Sequence, residues 1–213
     1  MIKTHQILAC NNYQEINNDL LNYVDRYTNL LINDPHAIDY DSTNPPVYCN
    51  FPAKFGYNIQ HFVEHNSKLM QWLNASKLIL RDAYFTLCWV SKNLNNGQSP
   101  CPLHVDKPPV FWKMNWPILN MENTCIRFFQ LNDQPQSLDE LVLRRGDPDS
   151  KDRDHYLFKY ENFEEFARHR FNIPQPILMN GMIPHDVGFY SDPVFPRIGL
   201  QIMFVKEPLH LLT

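Results

Sequence analysis

The sequence predicts a mainly β fold of the α+β kind: a sandwich or jelly-roll core preceded by supporting helices. Three observations carry this. The first third of the chain carries apolar residues at helical spacing. From about residue 78, short aromatic and β-branched runs alternate with turn-forming residues. Proline is frequent (17) and glycine scarce (6), which interrupts long helices and ladders. Many short strands separated by turns are the pattern of a two-sheet β architecture.

In order along the chain, Ile16, Leu20, Leu21, Val24, Leu30 and Leu31 follow helical spacing until Asp34-Pro35 stops the run. Residues 35–58 have no period and read as a loop. A second helix is expected from about Ile59 to Ala75, with Phe62, Leu69, Met70 and Leu73 on one side. Strands are then expected at Tyr84–Val90, Leu103–Val105, Trp112–Leu119, Thr124–Leu131, Tyr156–Tyr160, Ile177–Met179, Val187–Tyr190 and Arg197–Val205. Residues 144–154 form a highly charged excursion, read as a solvated loop or a lid. Phe163, Phe166, Ala167 and Phe171 suggest a short amphipathic helix. We expect one domain: helical support over 1–77, the β core over 78–205 and a tail over 206–213.

Composition narrows the function. A chain of 213 residues, 44% hydrophobic, has room for one sizeable core. A net charge of -4 and a pI near 6.1 offer no broad basic field, which disfavours nucleic acid and anionic lipid as partners. The cysteines are Cys10, Cys49, Cys88, Cys101 and Cys125; the odd number and the absence of CxxC argue against a disulfide framework or a cysteine zinc site. No apolar stretch of signal-peptide or membrane-spanning length occurs, so a cytoplasmic, membrane-free protein is expected.

His104-Val105-Asp106 is the only His-x-Asp triplet. On a strand, residues i and i+2 share a face, so a His and an Asp at this spacing can grip one ion from one side. His185, after Pro184 and before the strand-like Val187–Tyr190, is the candidate third ligand. Two imidazoles and a carboxylate make a facial triad that leaves three metal positions open. Arg197 follows His185 by twelve residues and opens an alternating run. Ile198, Leu200, Ile202 and Phe204 share one face; Arg197, Gly199, Gln201 and Met203 share the other. An inward arginine needs an anion, and its planar fork matches a carboxylate.

With His104-x-Asp106, a distant His185 and Arg197 shortly after it, the chain resembles the Fe(II)/2-oxoglutarate-dependent oxygenases over residues 84–205. The resemblance implies a double-stranded β-helix core with iron on His104, Asp106 and His185. It also implies 2-oxoglutarate and O₂ as cosubstrates, with ascorbate supportive. Arg197 would bind the distal carboxylate of 2-oxoglutarate. The product would be an oxidised C–H of an amino-acid side chain, in a peptide or free, or of a small metabolite, with release of succinate and CO₂. Lys113-Met114-Asn115 further resembles the aspartyl/asparaginyl β-hydroxylase-like branch, where such a pair helps hold the cosubstrate. The Trp116–Asn120 run is similar to phage-encoded oxygenases. Gly199 stands where many members carry Ser or Thr, so Arg127 on the Thr124–Leu131 strand is an alternative partner for the distal carboxylate. Trp112, Trp116, Phe128 and Phe129 are expected to wall the site, with 45–57 and 144–154 flanking the substrate.

Two other readings stand beside this one. His61-Phe62-Val63-Glu64-His65 matches a His-x-x-Glu-His zinc-peptidase pattern, with Glu140 as the remote third ligand. A jelly-roll without catalysis, acting as a binding module, is the other.

Overall fold

The computed structural model describes residues 3–32, 48–52, 59–88, 101–106, 111–132, 141–144, 157–189, 194 and 197–212. In chain order these form β1 (His5–Ile7), α1 (Tyr13–Ile32), β2 (Tyr48–Pro52), α2 (Gln60–His65), α3 (Ser67–Ala75), β3 (Leu80–Cys88) and β4 (Cys101–His104). There follow β5 (Trp112–Leu119), β6 (Thr124–Leu131), β7 (Val142–Arg144), β8 (Leu157–Phe158), β9 (Phe163–Arg170), β10 (Ile177–Asn180), β11 (His185–Phe189) and β12 (Arg197–Phe204).

Among the described residues the strands build two sheets, ordered β1-β10-β5-β12-β3-β2 and β7-β8-β4-β11-β6-β9. Pairing is antiparallel throughout. Each step from β3 to β6, and again from β9 to β12, crosses from one sheet to the other. That crossing is the double-stranded β-helix expected from the sequence.

Alternation sorts the side chains of the first sheet. Its outer face carries Ala83, Phe85, Trp112, Met114, Trp116, Ile118, Ile198, Leu200, Ile202 and Phe204, packed with the buried faces of the helices. Ile16, Leu20 and Val24 of α1 and Leu69 and Leu73 of α3 complete this core. The helix is also tied by hydrogen bonds to β5, from the Tyr13 hydroxyl to the Pro117 carbonyl and from Asn17 to the Ile118 carbonyl at 2.8 Å. Pro117 cannot donate to a ladder, and the β5–β12 pairing is irregular beside it, between Ile198 and Gly199. Between the sheets lies a second core of Met121, Ile126, Phe128, Phe171, Ile177 and Met179.

Several expectations need correction. The helix expected over 59–75 is divided at Asn66, whose φ of -126° and ψ of 49° leave the helical region. Asn66 closes α2 instead, its side-chain amide donating to the Phe62 carbonyl at 2.9 Å. Phe163 to Phe171 is not a helix: Phe163–Arg170 is β9, paired from Cys125↔Arg170 to Leu131↔Phe163 along β6. An uncovered strand edge leaves a row of backbone groups unpaired, and satisfying that row outweighs a weak helical period. Strand β2 falls within the expected 35–58 loop, and β1 and β7 were not expected. No helix among the described residues is long and apolar enough to cross a membrane.

Candidate metal centre

Strand register brings the ligand candidates together. His185 of β11 lies directly opposite His104 of β4 on one side and Phe128 of β6 on the other. The two imidazole centroids are 4.3 Å apart. Asp106 lies just past β4, where its N–H donates to the Gly181 carbonyl at 2.8 Å. The Gly181 N–H in turn donates to the Phe111 carbonyl at 2.8 Å, so the turn after β10 pins the Asp106 backbone. His104 Nε2 and His185 Nε2 each stand 3.8 Å from an Asp106 carboxylate oxygen. Among the described residues, these three form the one group of three or more His, Cys, Asp or Glu placed to hold an ion, their donor atoms within 4.8 Å of one another.

The donors suit a divalent transition metal. His185 Nδ1 lies 2.8 Å from the Ile183 carbonyl, which can only accept, so Nδ1 carries the proton and Nε2 keeps its lone pair. Burial, then His104, pushes the His185 imidazole down to about 3, leaving it neutral. Burial, the largest influence on Asp106, raises its carboxyl; Lys113, His185 and His104 together outweigh it and hold the group well below the usual range. The Lys113 ammonium donates to Oδ1 at 2.8 Å. It also lies 2.7 Å from Oδ2, so one ammonium spans both carboxylate oxygens. A neutral nitrogen lone pair and an ionised carboxylate therefore face the centre.

The remaining candidates divide by strand face. Arg197 opens β12, is only 3% exposed, and its Nε donates across the interior to Thr124 Oγ1 of β6 at 3.1 Å. Thr124 is held in turn by donating to the Met121 carbonyl at 2.7 Å. Lys113 and Asn115 face the interior as alternation expects, but the ammonium meets Asp106, and the Asn115 amide lies 2.6 Å from Met179 Sδ. Arg127 pairs with Asp186, which follows His185 and so points to the opposite face of the sheet. Its guanidinium forks onto the fully buried Asp186 at 2.8 and 2.5 Å, and Tyr160 donates to the same carboxylate at 2.5 Å. Arg127 is thus committed to Asp186, away from the triad.

Other expected site features fall elsewhere. Trp112 and Trp116 face the helices; Trp116 stacks on Tyr13 at 5.2 Å and meets Trp72 edge-on. Phe128 does stand by the triad, 6.4 Å from the His185 ring. Phe129 packs apart with Leu103 and Phe163. His61 and His65 stack at 4.1 Å on α2, with the Tyr23 hydroxyl 3.0 Å from His61 Nδ1 and His65 Nδ1 bonded to the His61 carbonyl. They belong to no three-ligand group among the described residues. Glu140 and most of 45–57 and 144–154 lie outside those residues. Gly181 and Thr124 were not singled out from the sequence. Gly181 had one available signal, a rare glycine just before Pro184-His185.

A double-stranded β-helix holding a two-histidine, one-carboxylate centre between its sheets is the class of protein that this geometry defines. No family model matches the chain, and no curated protein matches it. Solved structures do. SnoN, a non-heme alpha ketoglutarate dependent epimerase from nogalamycin biosynthesis, is 12% identical with a TM-score of 0.50, covering 88% of this chain and 73% of its own. EvdMO1 is 13% identical with a TM-score of 0.50, covering 95% of this chain and 47% of its own. A prolyl-4-hydroxylase from Pseudomonas putida is more distant, 10% identical with a TM-score of 0.41, covering 96% and 92%. At such identities the likeness is one of fold.

Proposed function

We propose that the chain is an Fe(II)- and 2-oxoglutarate-dependent oxygenase. It oxidises an unactivated C–H of an amino-acid side chain or a small metabolite, with release of succinate and CO₂. The observation that carries this is the convergence of His104, Asp106 and His185 inside a double-stranded β-helix. A two-histidine, one-carboxylate face with open positions is the ligand set of non-haem Fe(II) oxygenases. SnoN, alike in fold, is non-heme and alpha ketoglutarate dependent.

His104, Asp106 and His185 would hold the iron. When bound, iron and 2-oxoglutarate supply the oxidising chemistry. The chain's own contribution is placement. The Ile183 carbonyl fixes the His185 tautomer and ring. Arg197, buried and steadied by Thr124, would hold the distal carboxylate of 2-oxoglutarate. Arg127 is not needed for that role, since its fork is filled by Asp186. Phe128, Ile126, Ile177 and Met179 keep water from the interior.

The test is succinate formation from 2-oxoglutarate with Fe(II), ascorbate and O₂ for wild type, His104→Ala and Arg197→Ala. Turnover is expected in the wild type, with loss in His104→Ala and a raised requirement for 2-oxoglutarate in Arg197→Ala. Equal background in all three removes the oxygenase reading.

A further inference from the structure

We infer that Arg127, acting through Asp186, is a positioning residue for His185: its fork holds the start of β11 in the register that turns the imidazole, and not the neighbouring carboxylate, towards the metal centre. This rests on the metal reading above and gives the outer face of the second sheet a task in that centre. His185 and Asp186 are adjacent, so they point to opposite faces of β11. Both are metal-ligand types, and only register decides which of them looks inward. A slip of one residue that set Asp186 opposite Phe128 would bring a second carboxylate beside Asp106 and turn the imidazole away. It would also take Asp186 from its place opposite Arg127.

The backbone ladder is regular on one side of β11 only. Towards β6 it runs unbroken from His185↔Phe128 to Phe189↔Thr124. Towards β4 it breaks at Asp186. His185 lies opposite His104 and Val187 opposite Cys101, so one residue of β11 spans two of β4, and Pro102 brings no N–H to the pairing. Side chains act where the ladder fails. Arg127 stands directly opposite Asp186 and forks onto it at 2.8 and 2.5 Å. Tyr160, in the turn before β9, gives the same carboxylate a third donor at 2.5 Å. The Arg127 side chain crosses Gly188 to reach its partner: a Cβ at that glycine would stand 2.8 Å from Nε and 3.0 Å from Cδ. The Asp186 side chain is fully buried, so any register that strands it is heavily penalised. Fixing register is the best-attested use of buried polar contacts of this kind.

The experiment measures Co(II) affinity of the metal-free full chain by anaerobic calorimetry, on variants shown to be folded by circular dichroism. Arg127→Met is expected to bind Co(II) about 10-fold more weakly or worse, the lower end of what losing an outer partner of a metal site costs. Arg127→Met combined with Asp186→Leu separates register from stability. The double variant replaces the buried pair with apolar groups, which restores stability. It leaves nothing to choose between the two registers, so its Co(II) affinity should stay as weak as that of Arg127→Met. It also decides the matter if Arg127→Met alone does not fold. Wild-type Co(II) affinity in either folded variant overturns the positioning role; in the double variant alone, it would trace the loss to the stranded carboxylate instead of to register. A wild type that takes up no Co(II), or a His104→Ala variant that takes it up equally, overturns the metal reading and this inference with it.

Discussion

Replacing Arg127 by methionine separates the two arginines by their surroundings. Methionine keeps much of the aliphatic stem and removes the fork. In the wild type that fork sits on Asp186 at 2.8 and 2.5 Å, and the Asp186 side chain is fully buried. Breaking a buried pair by removing one partner costs roughly 3–5 kcal/mol, because the other charge is left uncompensated. The Arg127 side chain is 28% exposed, so solvent screens part of the interaction. Tyr160 still donates to Asp186, which softens the loss further. We therefore expect about 3 kcal/mol, and about 2–4 °C per kcal/mol for a chain of this size gives a fall in Tm of roughly 6–12 °C. A double-mutant cycle with Asp186→Asn in urea should return a coupling well above about 0.5 kcal/mol. The 2-oxoglutarate affinity of the metal-loaded Arg127→Met protein should stay at the wild-type value, whereas Arg197→Met should lose it. A stable Arg127→Met protein with weakened 2-oxoglutarate binding would refute the reasoning, since it would place Arg127 in the cosubstrate site.

Two further outcomes follow from the same geometry. Gly188→Ala would put a Cβ 2.8 Å from Arg127 Nε and 3.2 Å from Cys125 Sγ, so it should destabilise by about 1–3 kcal/mol, and by clearly less in an Arg127→Met background; equal costs in both backgrounds would show that the arginine does not lie over this glycine. His169, buried beside His5 with its Nε2 lacking a hydrogen-bond partner, is pushed down from 6.5 to about 4, by burial first and His5 second. Its neutral form is the folded one, so the unfolded chain binds the extra proton: stability is full above pH 6.5 and falls as pH drops from 6.5 towards 4, by about 3 kcal/mol in all. His169→Leu should flatten that part of the urea-stability curve, and curves that stay parallel from pH 7 to 4.5 would contradict it.

Period and spacing made much of this protein legible in advance. Alternation along Trp112–Leu119 and Arg197–Phe204 assigns each residue to a face, because a strand's side-chain period is a local property of the backbone. The His104-x-Asp106 spacing is local for the same reason, and the resemblance carried by His185 and Arg197 supplied the rest of the centre. Face alone does not choose a partner. Lys113, Arg127 and Arg197 are all strand cations, and only the tertiary arrangement assigns Lys113 to Asp106 just past β4, Arg127 to Asp186 across the β6–β11 pairing and Arg197 to Thr124 on the facing sheet. The helical spacing of Phe163, Phe166 and Ala167 likewise yielded to the open edge of β6, a demand that arises only once the sheet exists. The chain by itself determined which residues look inward. The tertiary structure decided what each one meets there, because register is set by contacts far apart in sequence and a slip of one residue would turn every side chain to the other face.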